Sequence, residues 1–181
     1  LKTDNGGGLS YEEAVTFNVN DLIDETPKDI SFVPEIQWTR LLGSFDSDYG
    51  NALTTGSDGS IYIAGDTYGD LDGQTNSGDF DAFISKFSAD GEKQWTKLLG
   101  SSDDDDVNAL TTGSDGSIYI AGETYGDLDG QTNSGYDDAF ITKYNPDGTK
   151  EWTKLLGTYA SDYGYALTTG SDGSIFITGQ T

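Results

Sequence analysis

The chain has 181 residues, with 32 acidic against 9 basic side chains, a formal charge of −23, and no Cys, Met or His. Without Cys or His there is no disulfide framework, thiolate metal site, thiol nucleophile or imidazole base, which excludes most catalytic constellations and reads as a non-enzymatic protein. Such acidity repels nucleic-acid phosphates and anionic membrane surfaces, leaving cations or basic surfaces as counterparts, and no run approaches the ~18 apolar residues of a membrane span.

In chain order, residues 1–35 form an N-terminal extension, with Gly6-Gly7-Gly8 as a flexible joint and an extended stretch at 14–20 that could reach a neighbour. A repeat follows and governs the rest. Trp38, Trp95 and Trp152 lie 57 residues apart, residues 37–93 and 94–150 differ at only 13 of 57 positions, and a third copy runs from 151 to 181. Each unit predicts four short strands, here lettered A to D. In the first unit A covers 51–56, B 61–65, C 81–87 and D 94–99, with Asp58-Gly59 and Asp90-Gly91 as hairpin turns between A and B and between C and D. No segment carries a 3.6-residue apolar period, so the chain is all-β. On strand B, Ile61 and Ile63 share one face and Tyr62 and Ala64 the other. Apolar residues on both faces imply sheets stacked on both sides, and tandem antiparallel four-stranded units stacked in this way describe β-propeller blades.

The residues also carry a resemblance. Asp48-Tyr49-Gly50-Asn51-Ala52-Leu53, the run from Asp58-Gly59-Ser60 to Ala64-Gly65, Asp81-Ala82-Phe83-Ile84-Ser85-Lys86-Phe87 and Trp95-Thr96-Lys97-Leu98-Leu99-Gly100 together resemble the bacterial SBBP-type β-propeller repeat. The resemblance covers about residues 36–181 and implies a propeller fold in an extracellular or cell-surface protein. It implies no particular activity.

The strand count leaves two complete blades, 49–99 and 106–156, flanked by half-blades at 29–42 and 163–181. Residues 29–33 read as a C-like strand, with Pro34-Glu35 in place of the usual turn, and 37–42 as strand D. Three blades do not readily close a ring, and a bare strand edge recruits another strand. Two copies could pair their halves into a six-bladed ring, successive copies could pair head to tail into a filament, or the chain, which begins at Leu1, could be a piece of a longer propeller. The residues expected to carry association are Ile30, Phe32, Trp38 and Leu41 at one end and Ile175, Phe176 and Ile177 at the other.

In such blades the D-to-A and B-to-C connections emerge on one face. That face collects Asp46, Asp48, Asp70, Asp72, Asp79, Asp103 to Asp106, Asp127, Asp129, Asp137 and Asp162, while the turn residues Asp58, Asp90, Asp115, Asp147 and Asp172 fall on the other. Within the B-to-C loops, Asp70, Asp72, Gln74, Asn76 and Asp81, and again Asp127, Asp129, Gln131, Asn133 and Asp138, stand at positions 1, 3, 5, 7 and 12 of a Ca²⁺ loop. Against that reading, the position-6 Gly is Thr75 and no helices flank the loop, so polar turn formation explains the same residues. The tryptophans suit packing between blades, whereas Tyr68, Tyr125 and Tyr136 in the long loops could offer a carbohydrate platform. The expectation is a structural protein that self-associates into a fibre or closed oligomer, its acidic face possible ground for Ca²⁺. The alternative is a secreted or surface module recognising a glycan or basic protein through its acidic loops.

Overall fold

The structure, a computed structural model, describes residues 37–181. These comprise ten strands and no helix: β1 (Asp48–Thr55), β2 (Ile61–Thr67), β3 (Asp81–Phe87), β4 (Lys93–Leu99), β5 (Asp105–Thr112), β6 (Ile118–Thr124), β7 (Asp138–Tyr144), β8 (Lys150–Leu156), β9 (Tyr163–Thr169) and β10 (Ile175–Gln180). They build two four-stranded antiparallel sheets in the order β1-β2-β3-β4 and β5-β6-β7-β8, and a two-stranded sheet β9-β10. These are the two expected blades and the expected C-terminal half-blade, and the sheets do not close into a ring.

Local chemistry explains the hairpins. Gly56 N donates to Ser60 O at 2.8 Å and Gly59 N to Gly56 O at 3.0 Å, while the Asp58 carboxylate accepts from Ser60 N at 2.9 Å. Gly59, at φ 79°, takes a left-handed conformation that disfavours any side chain, and Gly116 and Gly173 repeat it at 81° and 85°. The same turn therefore recurs in all three units.

Stacking between sheets accounts for the two-faced apolar pattern. Ala64, Ile84, Val107, Ile118, Ile120, Leu128 and Phe140 are fully buried within one core cluster, and each large aliphatic or aromatic member contributes ~1.5–3 kcal/mol. The A-type strands lie side by side: Thr112 Oγ1 donates to Thr55 O at 3.2 Å and Thr169 Oγ1 to Thr112 O at 2.9 Å. Successive sheets thus repeat around their innermost strands.

The N-terminal boundary differs from the sequence reading. Residues 37–42 repeat the pattern that becomes β4 and β8, yet form no strand. β4 and β8 are strands because β3 and β7 bond to them; the C-like stretch expected at 29–33 lies outside the described residues. The chain divides into two compact units, Leu1–Leu41 and Leu42–Thr181. Trp38 and Leu41 therefore fall in the first unit, while Ile30 and Phe32 lie outside the described residues.

Candidate functional site

The C-terminal half-blade is an unfinished sheet. β10 stands where β2 and β6 stand in the complete blades, but among the described residues it pairs only with β9. In the complete blades a B-strand tyrosine is covered by a D-strand tryptophan: Tyr62 lies 6.1 Å from Trp95 and Tyr119 lies 6.2 Å from Trp152, ring centre to ring centre. Lys86, on strand C, adds its ammonium 5.4 Å from the Tyr62 ring. Tyr62 and Tyr119 are consequently buried, whereas Phe176, their counterpart on β10, is 59% exposed. Ile175 and Ile177 are only half-buried, against full burial of Ile118 and Ile120. At the N-terminal side Leu41 is exposed and Trp38 half-buried, with the Arg40 guanidinium 5.9 Å from its ring.

The tryptophans pack between blades where a neighbour exists. Trp95 Nε1 donates to Pro146 O, in the turn between β7 and β8, at 3.2 Å, and a Cβ on Gly148 would come within 2.9 Å of the Trp95 ring.

The B-to-C loops do not form the ligand loop that their spacing suggests. Asp72 and Gly73 have φ 55° and 75°, and Leu71 and Gln74 exchange backbone hydrogen bonds at 3.1 and 3.0 Å. This is a two-residue primed hairpin, and it drives Leu71 into the core. Every predicted ligand side chain is engaged within the protein. Asp70 accepts from Asn76 N at 2.9 Å, and Asp72 bonds Lys93 and the Thr96 hydroxyl. Gln74 donates to Thr96 O at 2.7 Å and accepts from Leu98 N at 3.3 Å. Asn76 donates to Thr67 O at 2.8 Å, and Asp81 accepts from Ser77 N at 2.9 Å. Asp127, Asp129, Gln131, Asn133 and Asp138 repeat the scheme through Asn133 N, Lys150, Thr153 O, Thr124 O and Ser134 N. Partial burial works against ionisation of Asp72, but its bonds to Lys93 and Thr96 prevail and hold its carboxyl below the usual range. Among the described residues no group of three or more acidic side chains is placed to hold a metal ion.

Charge is concentrated instead at the seams between blades, which sequence reasoning passed over. Asp66 on β2 accepts Val107 N of the next blade at 2.6 Å and the Asn51 amide at 2.6 Å. Asn51 also donates to Val107 O at 3.0 Å. Asn108 repeats the side-chain part of the clamp, donating to the Glu123 carboxylate at 2.5 Å and to Gly164 O at 3.2 Å. Burial, reinforced by the charges of Asp106 and Asp104, pushes Asp66 up to about 7 despite its two donors. Burial and the charge of Asp106 do the same to Glu123, to about 7, and burial raises Asp105 to about 6. The recurrence of Asn51 and Asn108 one unit apart, each opposite an acid, was the available signal.

Residues 37–72 and 94–129 match the family described as SBBP, beta-propeller repeat. The chain is 31% identical over 141 residues to the Regulatory protein FlaEY of Caulobacter vibrioides, an alignment covering 70% of this chain and 15% of that protein. A crystal structure of a protein of unknown function from Bacteroides caccae superimposes with a TM-score of 0.44 at 11% identity, over 72% of this chain and 38% of that one. The matched stretches, the 57-residue period and the four-stranded antiparallel sheets agree with one another, so the repeats of this chain are similar to the SBBP beta-propeller repeat.

Proposed function

We propose that this is a non-enzymatic structural protein of the extracellular space or cell surface, whose unfinished sheet β9-β10 is completed by strands from a second copy, giving a closed oligomer or a filament. The observation that carries the reading is the contrast between Phe176, exposed, and Tyr62 and Tyr119, buried beneath a D-strand tryptophan. The missing piece has the composition of residues 29–42, where Trp38 is one full period before Trp95. Pairing along β10 would satisfy its open edge and bury Phe176, Ile175 and Ile177, and strand addition of this kind is a common mode of association.

Size exclusion with light scattering tests the proposal. The intact chain is expected to run at a multiple of its 19.3 kDa mass. Deleting residues 174–181, or substituting Trp38→Ala, should reduce it to a single copy. A chain that is monomeric at high micromolar concentration, or oligomers indifferent to both changes, would remove the basis for strand completion.

A further inference from the structure

The two complete units are nearly identical, so the places where they differ are informative. Of their 13 differing positions, five gather at the loop face of the first blade: Phe45, Ser47, Tyr49, Asp79 and Phe80, which stand where the second unit has Ser102, Asp104, Asp106, Tyr136 and Asp137. Phe45, Asp46, Ser47, Tyr68 and Phe80 line an open notch there. Its rings form a group, with Phe80 5.7 Å from Tyr49 and 5.2 Å from Tyr68, the latter edge-on. Phe45, Tyr49 and Tyr68 are exposed; Phe45, Tyr49 and Phe80 place rings where the second unit has Ser102, Asp106 and Asp137, whereas Tyr68 recurs as the exposed Tyr125 and Asp79 stands where the second unit exposes Tyr136.

Carboxylates surround this notch. Asp46 lines it, Asp79 accepts the Tyr68 hydroxyl at 3.4 Å, and Asp104 accepts Phe80 N at 3.1 Å. The ion pairs among the described residues, Lys86–Asp58, Lys93–Asp72, Lys143–Glu151 and Lys150–Asp129, involve none of the three. Aromatic faces beside unpaired carboxylates suit a ligand with a flat or apolar body and a positive charge, for which a guanidinium is the best match, because it stacks on rings and bonds carboxylates through the same planar group. A neutral sugar would use the rings but leave the acids without a role.

We infer that the notch formed by Phe45, Tyr49, Tyr68 and Phe80 is a binding site for an arginine side chain of a basic peptide segment, with Asp46, Asp79 and Asp104 receiving its charge. The inference is independent of strand completion, since no residue of the notch lies on β10.

Fluorescence anisotropy with a labelled hexa-arginine peptide at about 0.15 M salt tests it, using the intact chain and a variant carrying Phe45→Ser, Ser47→Asp, Tyr49→Asp, Asp79→Tyr and Phe80→Asp. The second unit already folds with these residues, and the variant is the more acidic protein by two charges. The notch requires the variant to bind at least about fivefold more weakly. Equal or tighter binding would assign the attraction to net charge alone and overturn the site. As a check that does not depend on the variant, peptide addition should shift the ring resonances of Tyr49, Tyr68 and Phe80 in the intact protein. Shifts elsewhere, or shifts elicited by neutral glycans and not by the peptide, also overturn it.

Discussion

The Asp81 carboxylate occupies the space that a Cβ on Gly100 would need, with Asp81 Oδ1 2.1 Å from that position, and Asp138 stands against Gly157 in the same way at 2.0 Å. Both aspartates are fully buried, and Oδ1 of each has no hydrogen-bond donor among the described residues. The carboxylate is packed flat against a bare Cα, which makes the glycine that closes each repeat a steric requirement of the aspartate that opens strand C. Gly100→Ala and Gly157→Ala are each expected to cost ~1–3 kcal/mol through overpacking, measured by urea denaturation. Gly73→Ala, where a Cβ meets nothing within 4 Å but φ is 75°, serves as the strained but uncrowded comparison.

Stability should fall as pH rises through the near-neutral range. Asp66, at about 7 in the folded state, has an unfolded value near ~4, so its favourable contribution is complete below ~4 and is lost as pH climbs to the folded value. Asp104 and Asp106 face it and shift it the same way. Glu123 and Asp105 act in the same direction. The melting temperature is expected to be higher at pH 5 than at pH 8. Asp66→Asn should shrink that difference, with an effect on the order of 3 kcal/mol for the buried carboxylate. A melting profile that rises between these pH values would contradict the assignment.

Leu71 and Leu128 plug the core from the B-to-C hairpins and are almost completely buried. Leu128→Ala should cost ~2–5 kcal/mol. Because the oxygens of these loops are engaged by Lys93, Lys150 and backbone groups, Ca²⁺ and Mg²⁺ are expected to raise the melting temperature equally, through screening. A shift specific to Ca²⁺ would reinstate a chelating loop.

Trp95 and Trp152 occupy equivalent positions with different surroundings. Only Trp95 lies against a following turn, through Pro146 and Gly148. Trp95→Ala should therefore destabilise more than Trp152→Ala by ~1 kcal/mol in the monomer, a comparison that thermal melts of the two variants provide. Equal losses would mean that contact across the seam adds nothing to packing against Tyr62 and Tyr119.

Most of the strand pattern was legible because its causes are local. The Asp-Gly turns set hairpin register within a few residues, and strand C was read at its observed bounds, 81–87. Strand A begins three residues earlier than expected, at Asp48, because the irregular pairing between Gly50 and Ala52 lets the ladder continue past a bulge. The loop aspartates were read as Ca²⁺ ligands from their spacing, but spacing does not distinguish oxygens that converge from oxygens that face Lys93 or a backbone N–H. Nor could the seam acids be recognised, since Asp66 becomes unusual only once Val107 of another blade is placed beside it.

The chain by itself determined the period, the hairpins, the identity of the inward-facing residues and the acidity of the loop face, all consequences of turn chemistry and alternation along one strand. The tertiary structure alone decided that residues 37–42 remain without strand structure while the same pattern at 94–99 is paired, that Phe176 is uncovered, and that the first blade carries an aromatic notch. Strand state, burial and ionisation all depend on what lies across a sheet edge or a seam, and those neighbours are many residues distant along the chain.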